Sequence, residues 1–115
     1  MAFDPYDFLD LAQNLTDNST SAEAEYRTAV SRAYYAVHLY ARERLVARGQ
    51  MTSTGGGEDH RLVITSLRAG WGPEGDQLDK LRQRRIRADY RLGSSMTLVQ
   101  ARQAVAIAQA VWPRL

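Results

Sequence analysis

The chain has 115 residues, of which 44% are apolar and 24% charged. This is an ordinary balance for one globular domain, read as spanning residues 1–115. It contains no cysteine, which excludes a disulfide framework, a thiol nucleophile and a cysteine metal site, and suits a reducing compartment. The formal net charge is only +2, but the charge is unevenly placed. Residues 1–26 hold six acids and no base, residues 82–91 (RQRRIRADYR) hold five Arg against one Asp, and of fifteen basic residues only Lys80 is not Arg.

No apolar run approaches the roughly 20 residues of a membrane span. The opening MAFDPYDFLD carries three acids and no base, unlike a signal or transit peptide. These features predict a cytoplasmic protein without membrane contact.

In chain order the segments read as helices. Asp4-Pro5-Tyr6-Asp7 is a helix start, with Asp4 capping, Pro5 in the first turn and Asp7 at the positive end of the dipole. Phe8, Leu11, Ala12 and Leu15 follow at helical spacing. The polar run 17–21 ends this helix, and Thr20 with Glu23 has the spacing of a capping box for the next. That second helix, from about Ala22 to Arg48, has an apolar stripe through Tyr26, Val30, Ala33, Tyr34, Val37, Ala41 and Leu45, and Gly49 stops it. Residues 50–57, QMTSTGGG, read as a mobile loop.

His60 to Arg68 is a short helix. Its β-branched run Leu62-Val63-Ile64-Thr65 has no partner strand elsewhere in the chain. Gly70-Trp71-Gly72-Pro73 is a turn, and Asp76 caps a fourth helix running to about Leu92. Gly93-Ser94-Ser95 breaks it. Thr97 and Gln100 repeat the capping-box spacing before an Ala-rich last helix, from about Leu98 to Trp112. The fold class expected is all-α, an antiparallel bundle of four main helices and one short one.

One rung of the fourth helix breaks its own pattern. The apolar ladder Leu78, Leu81, Ala88, Leu92 skips the position where Arg84 and Arg85 lie, and Arg85 points along the apolar face. A guanidinium there must be paired or must open into a cleft. Asp89, one turn on, is the only acid of the segment. Either the two form an internal ion pair that fixes helix register, or they mark a polar cleft whose Arg binds phosphate. The second helix offers the facing wall: Ser31, Arg32, Tyr34, Tyr35 and His38 fall within two turns, with Tyr34 and His38 on one face.

Other chemistry is absent from the pattern. His38 and His60 are too isolated for a metal motif, and Glu58-Asp59-His60 reads as a helix start. There is no phosphate-binding glycine loop and no nucleophile elbow. No cofactor and no metal are expected.

The stretch Glu23 to Ala36, with Ser31-Arg32-Ala33-Tyr34-Tyr35, resembles the second helix of HEPN-domain proteins. Arg85-Ile86-Arg87-Ala88-Asp89-Tyr90 resembles the Arg-x-x-Ala-Asp-Tyr signature of a small stand-alone bacterial and archaeal branch of that superfamily, and His60 at the head of a short helix fits the same branch. The resemblance implies an all-α homodimer with a polar cleft associated with RNA or nucleotide. It also implies a toxin-like component of a toxin–antitoxin or defence module, with a minimal nucleotidyltransferase antitoxin as partner.

Catalytic members are metal-independent endoribonucleases that place a His four to six residues after the Arg. That His is absent here, so cleavage does not carry over residue by residue. Arg85, Asp89 and Tyr90 are the candidate catalytic residues, and Arg32, Tyr34, Tyr35, His38, Arg84 and Arg87 the candidate substrate-binding ones. The alternative reading is a non-catalytic, dimeric helical module that binds RNA, nucleotide or protein.

Overall fold

The computed structural model describes residues 2–115. Its described residues form five α-helices and a closing 3-10 turn, with no strand: α1 (Tyr6–Asp17), α2 (Glu23–Ala47), α3 (Asp59–Gly70), α4 (Pro73–Tyr90) and α5 (Leu98–Val111), then Trp112–Arg114. None of these helices is long and apolar enough to cross a membrane.

The long α2 is the hub, packed against each of the other four helices. Its buried residues Ala29, Val30, Ala33, Tyr34, Ala36, Val37, Ala41 and Leu45 cover more than one stripe of its surface, which is what a helix with neighbours on several sides requires. Small side chains let those neighbours close in: Ala101, Ala104 and Ala108 of α5 are fully enclosed. Trp71 and Trp112 are half-buried against their own chain. The Trp112 ring stacks on Tyr40 with centroids 4.1 Å apart. Trp71 Nε1 donates to the Arg114 carbonyl at 3.0 Å.

Helix starts follow the sequence with three exceptions. Asp4 Oδ1 accepts from the Tyr6 N–H at 3.0 Å, as a cap should, and Thr97 with Gln100 forms the expected capping box. At the head of α2 the box does not form with Glu23. Ser21 takes the left-handed region (φ 69°), and the turn hands Thr20 to Glu25, which accepts from the Thr20 N–H at 3.1 Å and from its hydroxyl.

Asp76 does not cap α4 either. That helix begins at Pro73, after Gly72 in the left-handed region (φ 77°), and Asp76 instead accepts from Arg68 Nε at 2.9 Å. Proline in the first turn lacks only an N–H that would be orphaned anyway. Gly75 then lets α3 and α4 touch, since a Cβ there would sit 2.7 Å from the Arg68 backbone nitrogen.

The third exception is the loop before α3. Asp59 is buried, and its carboxylate accepts from Ser53 Oγ (2.6 Å), from Thr54 N–H and Oγ1 (both 2.8 Å) and from Gly55 N–H (3.3 Å). These bonds hold Asp59 well below the usual carboxylate range, the Ser53 hydroxyl first among them. The segment that reads as free is tied to the start of α3, and that tie places His60 beside α2.

Candidate functional site

The polar neighbourhood forms where the last turn of α4 crosses α2 and meets the first turn of α3. The last carbonyls of any helix lack intrahelical partners, and Arg27 of α2 satisfies those of α4. Its guanidinium donates to the carbonyls of Ala88 (2.9 Å), Arg87 (3.2 Å) and Arg91 (3.4 Å), and also to Ser94. A cation is favoured at that end of the dipole. Through this clamp, Arg85, Asp89 and Tyr90 are presented to the face of α2 that carries Ser31, Arg32 and Tyr35.

Arg85 is held by its own helix and by two rings. Its Nε donates to Asp89 Oδ2 at 3.0 Å and its Nη2 to the Tyr90 hydroxyl at 3.3 Å. Its guanidinium lies 5.2 Å from the Tyr35 ring centre and 5.1 Å from that of Tyr90, within cation–π range. This accounts for the broken ladder, because a planar cation on an aromatic face fills the rung where an aliphatic side chain is expected. Burial works against the charged form, but Tyr35, Tyr90 and Asp89 outweigh it and raise the Arg85 pKa. The Arg85 side chain is 15% exposed.

A guanidinium has five N–H donors, and only two of Arg85's have protein acceptors among the described residues. Its Nη1 has no acceptor among the described residues and is not sealed off from solvent. Asp89 Oδ2 also accepts from Ser31 Oγ at 3.1 Å. Arg32 brings a second guanidinium to the same Tyr35 ring at 5.0 Å.

Behind this rim lies a stack of rings. His60 and His38 lie face to face with centroids 4.5 Å apart, and Tyr34 stacks on both at 5.6 and 5.5 Å. The Tyr34 hydroxyl and His60 Nδ1 share a hydrogen bond of 2.5 Å. Tyr34 is fully enclosed, and burial raises its pKa, so it stays a phenol. Burial, His60 and Arg42 push His38 down to about 3, and its Nδ1 is buried without a partner.

His60 differs from its stacking partner by standing at the rim. Burial first, then Arg82 and Arg85, lower its pKa and keep the imidazole neutral at neutral pH. Its Nε2 has no partner among the described residues and is not enclosed. The ring lies 5.8 Å from that of Tyr35, edge to face, so Tyr35 has His60 and Arg85 as common neighbours.

Of the residues singled out by sequence, Arg32, Tyr35, Arg85, Asp89 and Tyr90 come together. Tyr34 and His38 lie just behind them as support rather than as wall. Arg84 and Arg87 do not join them, although both were expected around Arg85. On a helix they fall on the opposite arc, and both line a separate groove between α4 and α5.

His60 is the residue that reading the chain as local elements misses. Its neighbours Glu58 and Asp59 make it look like part of a helix start, and nothing local shows that α3 begins against Tyr34. The available signal is its place at the head of a short helix, which enters only through the family resemblance. Among the described residues, no group of three His, Asp or Glu side chains could hold a metal ion.

No family model matches the chain, and no curated protein or solved structure is significantly similar to it. What can be said of the site therefore rests on its own geometry.

Proposed function

We propose that this rim binds an RNA phosphate and cleaves the strand without a metal, as a HEPN-like, toxin-like ribonuclease. The observation that supports it is the pairing of an Arg85 held in place, its Nη1 without an acceptor among the described residues, with a neutral imidazole, His60, across one tyrosine ring. In-line cleavage needs a cation facing the phosphorane and a base for the 2′-hydroxyl. Arg85, with Arg32 beside it, is the cation. In the tautomer where His60 Nδ1 donates to the Tyr34 oxygen, Nε2 accepts the 2′-hydroxyl proton as the O2′–P bond forms. The P–O5′ bond breaks, and the departing oxygen takes a proton from water. In this reading His60 of α3 takes the role of the His that catalytic HEPN members carry on the helix of the Arg.

In this reading the helices pack as an antiparallel bundle, and the protein works in the cytoplasm as a homodimer, with a minimal nucleotidyltransferase as antitoxin. Tyr90 and Leu92, 66% and 82% exposed, supply apolar surface beside the site for such a partner. A second reading, binding without cleavage, is favoured by Asp89, which already occupies one edge of the Arg85 fork.

The deciding experiment is cleavage of a labelled single-stranded RNA in the presence of EDTA. The expected products end in a 2′,3′-cyclic phosphate, and a 2′-deoxy substrate resists. Arg85→Ala and His60→Ala should each lower the rate by at least about 100-fold while the helical circular dichroism signal is retained. Undiminished cleavage by Arg85→Ala refutes the proposal, and RNA binding without cleavage selects the second reading.

A further inference from the structure

The α4–α5 groove raises a separate question, because its charge is unbalanced. It measures about 530 Å³ and has Val30 and Met96 in its lining. Lys80, Arg84 and Arg87 form its α4 side, at positions i, i+4 and i+7 of one helix face, over about 10 Å of helix axis. Like charges at that spacing repel and destabilise a helix. Among the described residues none of the three has an acid partner. The lining acid, Asp79, is engaged by Arg68 Nη2 at 3.4 Å, and Arg84 reaches only the Gln103 amide oxygen, at 3.4 Å. Lys80 is also the one lysine of the chain. The nearby N-terminus of α5 is filled by its own capping box, so the groove's attraction for an anion comes from these side chains.

We infer that this groove is a second anion site, one that takes a small, multiply phosphorylated ligand independently of Arg85. Two guanidinium forks grip phosphate oxygens in pairs, and a compact ammonium adds a point charge at the end of the row. The Gln100 and Gln103 amides offer donors and acceptors to the rest of the ligand, and Val30 with Met96 gives it an apolar floor. The groove holds no aromatic side chain, so it lacks the stacking platform on which single strands are bound. That favours a free polyphosphate over an RNA strand, and it sets this groove apart from the tyrosine-lined rim around Arg85.

The test is calorimetric titration of the intact chain with tripolyphosphate and, separately, with a single-stranded oligonucleotide. Tripolyphosphate should bind with an affinity that falls as salt rises. Lys80→Gln, and the double variant Arg84→Gln/Arg87→Gln, should each weaken it by about tenfold or more, the loss expected when charge-assisted hydrogen bonds are removed. Arg85→Ala should leave it within about twofold, and thermal unfolding of each variant separates lost binding from lost fold. Absence of binding by the wild-type chain overturns the inference. So does an equal loss in Arg85→Ala, which would make the groove part of one diffuse basic surface. If the double variant dissolves a self-assembled species on which tripolyphosphate has no effect, the groove's occupant is a second copy and the inference fails.

Discussion

Asp59 and Asp89 are aspartates at opposite ends of helices, both near α2, and they have different work. Asp59 is 2% exposed and both of its oxygens are engaged, by two hydroxyls and two backbone N–H groups. Asp89 is 27% exposed in its side chain. Only its Oδ2 has partners, Ser31 and Arg85, while Oδ1 has none. The first carboxylate organises a loop and has nothing left to offer. The second orients a cation whose Nη1 has no acceptor among the described residues. Acceptor saturation, more than residue type or helix position, separates structure from site here.

The comparison breaks if the two aspartates turn out to be energetically alike. Asp59→Ala leaves four donors of the 53–55 loop without their acceptor and loosens the start of α3. The thermal midpoint should fall by roughly 10 °C, the largest loss of the set, and amide exchange at Thr54 and Gly55 should rise. Asp89→Ala should shift the midpoint by less than half of that, about 4 °C, as a loss of about 1 kcal/mol does in a domain of this size. Equal shifts would show that the open carboxylate is structural after all.

The ring stack sharpens the contrast between interior and rim through pH. In the unfolded chain His38 titrates near its ordinary value, about 6.5, whereas in the fold it is held down to about 3. Between those values the unfolded state binds the extra proton, so stability rises with pH and is lost on acidification. His60 acts in the same direction. Denaturant unfolding at pH 7 and pH 4.5 should differ by about 2–3 kcal/mol, and His38→Leu should flatten most of that slope. The lower end of the window reaches the ordinary carboxylate values, so Glu25 and Asp59, both held below theirs in the fold, add a minor loss in the same direction.

Arg27 tests whether the rim depends on the clamp behind it. Arg27→Ala strands several carbonyls at the end of α4, at a cost of about 1–2 kcal/mol by denaturant unfolding. It should also weaken RNA binding, although Arg27 itself faces carbonyls rather than the rim. If stability falls while RNA binding is unaltered, the orientation of Arg85 does not depend on this clamp.

Much of the fold is legible in the chain because helices are written locally. Proline, glycine and capping residues mark most ends to within a residue or two, and the missing rung at Arg85 marks a charge on the apolar face before any packing is known. What is not legible is relational. Thr20 chooses Glu25 over Glu23 because of a left-handed Ser21, a backbone state that residue identity does not specify. Arg84, Arg85 and Arg87 look like one basic run, but 100° per residue turns Arg85 toward Tyr35 of α2 and sends Arg84 and Arg87 into the α4–α5 groove. His60 becomes a candidate base only because Asp59 ties the preceding loop and sets α3 against Tyr34, a contact across 26 residues of chain.

The smallest expected stability effect carries the largest expected functional one. A fully buried ion pair that loses one member costs about 3–5 kcal/mol, because the other charge is stranded. An exposed pair is worth about 0–1 kcal/mol. Arg85 and Asp89, at 15% and 27% side-chain exposure, lie between these cases but are open on the outer edge. When Arg85 is removed, Asp89 keeps the Ser31 hydroxyl and gains water at Oδ2. When Asp89 is removed, Arg85 keeps Tyr90 and the two rings. Each alanine variant should therefore lose about 1 kcal/mol, measured by denaturant unfolding. Arg85→Lys keeps the charge but not the fork, so it should restore stability and leave RNA cleavage low, since an ammonium cannot hold Asp89, Tyr90 and a phosphate oxygen at once. A loss near 4 kcal/mol in both alanine variants, with stability recovered by a shape-matched apolar pair, would make Arg85–Asp89 a register-fixing ion pair and remove it from the site.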